Sequence, residues 1–137
     1  RIEVTRDIPT CQALRRVVFI EEQGVSEEDE LDGLDGRAIH LLAWDGECPV
    51  GTARLLVKGS AGKIGRVCVL PEARGLGLGA ALIRSALQEL GRMPGVTEAC
   101  LDAQSHATGF YEKLGFQVEG DEFLDAGIPH RHMRRAL

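Results

Sequence analysis

Residues 67–82 have the sequence VCVLPEARGLGLGAAL, and this stretch decides the fold of the chain. Its apolar, β-branched beginning is typical of a strand that ends before Pro71, and its last residues have the apolar spacing of a helix. Between the two lie an arginine and three alternating glycines, which have no Cβ and let backbone amides approach a ligand. The first turn of a helix adds unpaired amides and the positive end of the helix dipole. The stretch therefore predicts a binding site for a phosphate-bearing molecule.

The size and composition of the chain are those of an ordinary globular protein. At 137 residues it is expected to form one domain, residues 1–137. A formal net charge of −5 argues against nucleic acid or an anionic membrane as partner, and it suits a cationic substrate. No apolar run approaches the ~20 residues of a membrane helix, and the first residues lack the layout of a signal peptide. These features predict a cytoplasmic location.

The cysteine and histidine patterns predict neither a metal site nor a disulfide framework. No two cysteines have the C-x-x-C spacing, and most lie in apolar segments, so we expect reduced and mostly buried thiols. His130 and His132 would share one face of a strand, but no third ligand stands at a metal-binding spacing. The four cysteines are Cys11, Cys48, Cys68 and Cys100.

Hydrophobic periodicity predicts the element order β, α, acidic loop, β, β, β, α, β, α, β, β. Strands joined by short turns pair antiparallel, whereas a strand, helix, strand unit makes its two strands parallel. We therefore expect an α/β (α+β) fold with a mixed, mostly antiparallel sheet, helices on both faces and the glycine loop at its centre. The predicted strands span residues 1–6, 39–44, 50–57, 64–69, 96–101, 116–119 and 131–137, and the predicted helices span about 9–22, 78–90 and 105–114.

Local signals add detail to three of these segments. The apolar stripe of the first helix is predicted to contain Leu14, Val17, Val18 and Glu21. Ser105 is expected to cap the last helix. Residues 125–130 are expected to form a loop between the last two strands.

Residues 27–35 form the most acidic segment of the chain. Such a segment is expected to be a solvated loop or short helix that cannot bury many of its groups. The alternative is one wall of a substrate cleft that attracts a cationic amine. The acidic residues are Glu27, Glu28, Asp29, Glu30, Asp32 and Asp35.

Three kinds of phosphate loop compete for the glycine pattern. A nucleotide-hydrolysing P-loop requires Lys followed by Ser or Thr, where this chain has Ala80 and Ala81. The dinucleotide fingerprint is matched by Gly75, Gly77 and Ala80, with Asp102 ending the next predicted strand. However, four residues separate the preceding strand from the first glycine, and the chain supplies one crossover unit where that fold needs several.

The third possibility is Arg-x-x-Gly-x-Gly at residues 74–79, after a strand broken by Pro71. This pattern resembles the pyrophosphate loop of the GNAT superfamily of N-acetyltransferases. The element order is also that superfamily's order, and the sequence FYEKLGF at 110–116 resembles its second signature. The resemblance covers essentially the whole chain and implies acetyl-coenzyme A as co-substrate, with no metal. Residues 18–23, 30–35 and 127–130 further resemble the ElaA-like branch.

The resemblance implies how the coenzyme would be held. The pantetheine arm would lie along the strand before the loop, and the loop amides would receive the pyrophosphate. The thioester would sit between splayed strands at 64–69 and 96–102, with a backbone amide near Val69 facing the oxyanion. The implied coenzyme-binding residues are Val67, Cys68, Val69, Arg74, Gly75, Leu76, Gly77, Leu78, Gly79 and Ala80.

Catalytic roles follow for fewer residues. By spacing alone Tyr111 is a core aromatic on an amphipathic helix, but the resemblance implies that it is the general acid for the departing thiolate. The general base stays open, because Arg66 stands where many relatives have a carboxylate. Candidates by chemistry are Glu22, Asp32, Asp35 and His40, and Gln104 could position a water; each is also a common cap, loop or surface residue.

These observations predict an enzyme that moves an acetyl group from acetyl-coenzyme A to a primary amine by direct attack in a ternary complex. Two other classes stay open: an acyl-coenzyme A sensor or protein-interaction module without turnover, and a small nucleotide-dependent oxidoreductase. The acceptor is a small-molecule or peptide amine, the length of the acyl chain is not fixed, and a homodimer is the commonest assembly.

Overall fold

The computed structural model describes all 137 residues. The strands are β1 (Ile2–Thr5), β2 (Ile39–Asp45), β3 (Cys48–Lys58), β4 (Ala61–Val69), β5 (Glu98–Gln104), β6 (Gln117–Asp125) and β7 (Ile128–Ala136). They form one sheet in the order β1-β2-β3-β4-β5-β7-β6, in which only the β4–β5 pair is parallel. The mixed, mostly antiparallel sheet is confirmed. A doubly wound dinucleotide-binding sheet is excluded, because that fold needs several parallel neighbours.

Helices cover both faces of the sheet, as the sequence predicts. The helices are α1 (Ile8–Arg15), which continues as a π-helical segment (Arg16–Glu22), α2 (Glu27–Glu30), α3 (Leu78–Gly91) and α4 (Thr108–Glu112). Leu41 and its neighbours pack with α3 in the larger core, while Leu42 packs with α1 in the smaller core on the opposite face. Because adjacent residues of β2 point to opposite faces of the sheet, this strand contributes side chains to both apolar cores. None of the helices combines the length and the apolar character needed to cross a bilayer.

The thiols occupy the places that the sequence indicates. Cys11, Cys68 and Cys100 are buried, Cys48 is exposed, and all four are free. Burial raises the pKa of Cys68 to about 12, which keeps this thiol protonated and unreactive.

Several local predictions are wrong. The first helix buries Cys11, Leu14, Arg15 and Val18, whereas Val17 and Glu21 are exposed. Ser105 does not cap α4, because it lies in a 3₁₀ turn and donates to Glu122. The expected loop at 125–130 is mostly strand, because β6 and β7 extend to a tight turn at Ala126 and Gly127, both of which have positive φ.

The parallel strands β4 and β5 separate soon after they meet. They pair only at Ala61 with Glu98, Gly62 with Ala99 and Lys63 with Cys100. Farther along, β4 carries one extra residue relative to β3, and Arg66 in this bulge has a φ of 51°. A bulge bends its strand, so β4 continues along β3 and leaves a gap on the side of β5.

A cluster of ion pairs, buried at Arg15 and Glu30 and partly exposed at Arg66 and Asp32, holds the acidic segment against this bulge. Arg15 donates to Glu30 at 2.6 Å and to Asp35 at 2.8 and 3.0 Å. Arg54 donates to both Asp32 and Asp35. Arg66 donates to Glu30 at 2.8 Å and to Asp32 at 3.3 Å. We call these three arginines and three carboxylates the arginine network; its formal charges cancel. The members are Arg15, Arg54, Arg66, Glu30, Asp32 and Asp35.

The arginine network corrects the expectation of a solvated acidic face. Glu30 is 2% exposed and Asp35 is 9% exposed, although Glu27, Glu28, Asp29 and Asp32 stay exposed to solvent. The hydrogen bonds from Arg54 lower the pKa of Asp32 to about 2. At Asp35 burial raises the pKa, but hydrogen bonds from Arg15 and Gln12 outweigh burial and hold it below its usual range.

The first prediction concerns the packing of β4 against α3 at Gly62, a residue of the short parallel contact between β4 and β5. Gly62→Ala would place a Cβ against both methyl groups of Leu90, which is fully buried on α3. Overpacking of this kind costs about 1–3 kcal/mol, so the free energy of unfolding in urea should fall by that amount. Gly65→Ala on the same strand meets nothing within 4 Å and should change stability by less than about 0.5 kcal/mol. Equal stabilities would contradict this packing.

The second prediction concerns acid stability. Because folding lowers the pKa of Asp35, its ionised form stabilises the fold above its unfolded pKa of about 3.9, and this contribution is lost as the pH falls below that value. Asp35→Asn should lower the free energy of unfolding at pH 7 by about 3–5 kcal/mol, because it leaves a buried arginine poorly paired. It should also flatten the decline in stability between about pH 5 and pH 2.

Denaturant titrations across this pH range test the second prediction. Asp121→Asn is the control, because Asp121 is exposed on β6 and forms no ion pair. The control should follow the wild-type profile within about 0.5 kcal/mol. An Asp35→Asn profile parallel to wild type would show that Asp35 does not titrate with unfolding.

Candidate functional site

The gap between β4 and β5 opens into a cavity of about 280 Å³. Its walls come from five parts of the chain: the π-helical segment, the acidic segment, β4, β5 with α4, and the β6–β7 hairpin. Val67 on β4 and Tyr111 on α4 both line it. The thioester position that the resemblance implies, between these two strands, is therefore an open space in the structure.

The glycine loop presents a row of unpaired amides at the start of α3. Gly77 is the N-cap of α3 with φ of 77°, and Gly75 has φ of 84°. The first intrahelical hydrogen bond runs from the amide of Ala81 to the carbonyl of Gly77, and the amides of residues 75–80 donate to no protein group. Six consecutive free donors at a helix N-terminus form a site for an anion.

Arg74 lies at the edge of this row and is already engaged. It donates to both carboxylate oxygens of Glu22, at 2.6 and 2.7 Å, and its Nε donates to the carbonyl of Val69. The hydrogen bond with Arg74 lowers the pKa of Glu22, and the same pair raises the pKa of Arg74. Glu22 is therefore an ion-pair partner of the loop, which makes it a weak base.

The end of β4 leaves one backbone edge unpaired. Cys68 and Val69 face β3 partners on one side, at Thr52 and Gly51. On the other side β5 has already departed. An extended molecule can bind along this free edge beside Val67 in the way that an additional β-strand would pair with it.

Tyr111 is held by aromatic neighbours. Its ring makes edge-to-face contacts with Phe110, at 5.0 Å between centroids, and with Phe116, at 6.2 Å. Burial raises the pKa of the phenol. The hydroxyl therefore keeps its proton at neutral pH and points to no protein acceptor. Phe110 packs near Gly79 of the glycine loop.

The four candidates for a base, and Gln104 as the candidate that could position a water, lie in three places. Gln104 lines the cavity, where its Nε2 donates to Gln23 at 2.9 Å. Glu22 binds Arg74, outside the cavity lining. Asp32 and Asp35 belong to the arginine network and do not line the cavity, and His40 is buried beside them, with Nε2 donating to the carbonyl of Asp35. The structure thus brings Gln104 together with Tyr111 and separates the other four from them.

Most charged groups inside the cavity are paired. Asp102 accepts from Lys63 at 2.9 Å and from His132 at 2.7 Å; burial raises its pKa, but these two bonds outweigh burial and lower it. Glu30 is held by the arginine network. At the rim, the exposed carboxylates of Asp29 and Asp125 have no ion-pair partner. No group of three or more His, Cys, Asp or Glu side chains is placed to hold a metal ion.

Sequence reasoning did not identify several cavity residues. The three segments that resemble the ElaA-like branch all reach this cavity, so their joint resemblance was the signal that could have located it. Their convergence depends on strand pairing across the sheet, which the sequence does not display directly. The additional lining residues include Phe19, Gln23, Lys63, Asp102 and His130, whereas Asp29 and Glu30 belong to the acidic segment, whose alternative interpretation is a wall of a substrate cleft.

Comparisons with known proteins agree with this geometry. Residues 12–137 match the family model of the acetyltransferase (GNAT) domain. The uncharacterized N-acetyltransferase YjcF of Bacillus subtilis is 42% identical over 123 residues, which cover 89% of this chain and 87% of YjcF. The crystal structure of an acyl-CoA N-acyltransferase from Pseudomonas aeruginosa superposes with a TM-score of 0.88 at 35% identity, covering 99% of this chain and 97% of that one.

Escherichia coli ElaA shares the fold over nearly its whole length. Its crystal structure superposes with a TM-score of 0.89 at 28% identity, covering 98% of this chain and 99% of ElaA. The resemblance to the ElaA-like branch agrees with this similarity. The match of the family model over most of the chain, together with the fold and the glycine loop, shows that this protein belongs to the GNAT acetyltransferase family.

Proposed function

We propose that this protein transfers an acetyl group from acetyl-coenzyme A to a primary amine by direct attack in a ternary complex. One observation carries the proposal: the free amides of residues 75–80 follow closely on the unpaired edge of β4, and Val67 on that strand lines the same cavity as Tyr111. Coenzyme A needs three such features in this order: donors for its pyrophosphate, a strand edge for its extended arm and an acid for its leaving thiolate. The name of the Pseudomonas relative, an acyl-CoA N-acyltransferase, supports the same donor.

The residues present fit coenzyme A. Its pyrophosphate would accept hydrogen bonds from the amides of residues 75–80, and Arg74 would exchange Glu22 for a phosphate oxygen. Its pantetheine arm would bind the free edge from Val67 to Val69. This arrangement places the thioester near the cavity and the bulky nucleotide outside it.

Once the acceptor is a neutral amine, the chemistry requires little beyond positioning and one acid. The amine nitrogen attacks the thioester carbon, the C–N bond forms, and the carbonyl electron pair moves to oxygen, which faces a backbone amide near Val69. When the C–S bond breaks, Tyr111 donates its proton to sulfur. The phenolate then recovers a proton that the new amide nitrogen loses, so the products are a thiol and an amide.

The cavity rim favours a cationic acceptor. Asp29 and Asp125 approach the mouth from the acidic segment and the β6–β7 hairpin, and neither carboxylate is neutralised by an arginine or lysine. Unpaired surface carboxylates attract an ammonium and raise its local concentration. The proposed acceptor is therefore a small-molecule or peptide amine that arrives as an ammonium ion.

A second function is favoured by one observation. Arg66 occupies the bulge of β4 and is neutralised by Glu30 and Asp32, so no carboxylate on this strand faces the gap. A protein with this arrangement could bind acyl-coenzyme A as a sensor without turning it over. Thiol release with a panel of amines separates the two functions, because a sensor would show binding alone.

The third prediction tests the glycine loop. Gly77→Val would place a branched side chain at the N-cap of α3, where φ is 77° and the protein leaves open space. This side chain should remove one or two hydrogen bonds to the charged phosphate, each of which contributes about 1.5–3 kcal/mol. Coenzyme A binding should therefore weaken by about tenfold to a hundredfold or more. Isothermal titration with coenzyme A measures the change.

The control for the third prediction is Gly95→Val. Gly95 has a φ of 81° and equally open surroundings, but it lies after α3 and away from the cavity. This variant carries the same backbone strain and should bind coenzyme A within about threefold of wild type. Normal binding by Gly77→Val would overturn the loop assignment.

The fourth prediction tests Tyr111. Tyr111→Phe removes the hydroxyl and keeps the ring contacts, so coenzyme A affinity should stay within about threefold while kcat for amine acetylation falls by about 10²–10⁴-fold. The acyl donor provides the control. With p-nitrophenyl acetate the leaving group needs no proton, so the variant should match wild type. An unchanged kcat with acetyl-coenzyme A would remove Tyr111 as the acid.

A further inference from the structure

Among the titratable residues that line the cavity, only His130 is both nine-tenths buried and free of any ion pair. It lies on β7 directly opposite Gln104, the last residue of β5. Directly opposed residues of an antiparallel pair point to the same face of the sheet, so both side chains face the cavity that they line. The ring is further held by stacking on Phe123, with centroids 6.0 Å apart and an interplanar angle of 27°.

The hydrogen bonding of this ring fixes its tautomer. Nδ1 lies 2.7 Å from the carbonyl oxygen of Ile128. A carbonyl oxygen can only accept, so Nδ1 carries the hydrogen, and Nε2 of the neutral ring has a free lone pair. Nε2 has no protein partner, yet it is not among the enclosed unpaired atoms of the structure, which are His40 Nδ1, Arg54 Nε and Arg131 Nε. A basic nitrogen therefore remains accessible on an otherwise buried ring.

The other basic groups of the cavity are unsuited to the same task. Glu30 is bound by two arginines, and Asp102 is bound by Lys63 and His132. The remaining carboxylates, Asp29 and Asp125, lie at the exposed rim. Proton removal from a buried ammonium needs an uncommitted lone pair inside the cavity.

We infer that His130 is the general base of the transfer, taking the proton of the acceptor ammonium at Nε2. This inference rests on the proposed acetyl transfer. The step is balanced: the ammonium N–H bond breaks, its electron pair stays on nitrogen as the nucleophile, and the proton passes to Nε2. The imidazolium later releases this proton to solvent, so one turnover yields amide, thiol and one proton.

The backbone hydrogen bond of His130 permits a substitution that separates base from scaffold. The side-chain nitrogen of asparagine stands near the position of Nδ1, so His130→Asn keeps a donor for the Ile128 carbonyl but has no basic nitrogen. His130→Ala instead leaves a space in which free imidazole can act. His132→Asn is the matched control, because His132 lies two residues along β7 and does not line the cavity, and the asparagine keeps a donor near Nδ1 for Asp102.

The test begins with wild-type protein, acetyl-coenzyme A and a panel of primary amines, with thiol release as the readout. His130→Asn should lower kcat by about 100-fold or more while coenzyme A binding stays within threefold. His132→Asn should keep at least a third of the wild-type rate. In His130→Ala, added imidazole should restore the rate in proportion to its concentration, which a structural role would not produce. A wild-type rate in His130→Asn, or no rescue, would overturn the inference.

A second readout does not depend on turnover. Long-range ¹⁵N–¹H spectra of the neutral imidazole should show the hydrogen of His130 on Nδ1, and a hydrogen on Nε2 would overturn the assignment. If wild-type protein binds coenzyme A but releases no thiol with any amine, the proposed transfer fails and the base role fails with it. If wild type turns over and His130→Asn does so equally well, only the base role fails.

Discussion

The parallel pairing of β4 with β5 lasts for three residue pairs and then stops, and the rest of the site depends on that separation. Two neighbouring parallel strands normally stay paired as far as both extend, because each backbone group that is left unpaired loses a hydrogen bond. Here both strands run on for several residues, β4 to Val69 and β5 to Gln104, without meeting. Their inner edges are left for a ligand, and the cavity occupies the space between them.

The separation is maintained by charge as well as by backbone geometry. Arg66 sits in the bulge at a positive φ, a conformation that costs a residue with a Cβ about 1–2 kcal/mol. Its guanidinium makes hydrogen bonds to Glu30 and Asp32, which offset this cost. Glu30 in turn holds Arg15 on α1, so the bulge, the acidic segment and the first helix form one connected unit. The acidic segment is therefore a structural part of the cleft.

Periodicity predicted the elements that bury apolar surface, and it failed where polar groups are buried. The strands around the glycine loop and α3 follow from local apolar spacing, which is sufficient for them. Arg15 could not be predicted as a core residue, because an arginine is buried only when paired, and its partners lie 15 and 20 residues away in sequence. Likewise, the length of β7 depends on its pairing with β5 and β6. That pairing is not visible in the short stretch of sequence from which hydrophobic periodicity is read.

The candidate site shows the same division between local and distant information. The glycine loop and Tyr111 are predicted from the sequence because each lies in a contiguous pattern. The sequence places His130 in a segment that resembles the ElaA-like branch and on one strand face with His132, but its sequence neighbours give no reason to expect a base. Its proposed role follows from its surroundings: the carbonyl of Ile128 accepts a hydrogen bond from one ring nitrogen, and the other nitrogen lies beside the cavity. Both arise because the β6–β7 hairpin folds back along β5, placing His130 opposite Gln104 at the point where β5 has left β4. The separation of the two strands thus creates the gap proposed for the acyl donor and leaves that gap open to the face of β7 that carries His130.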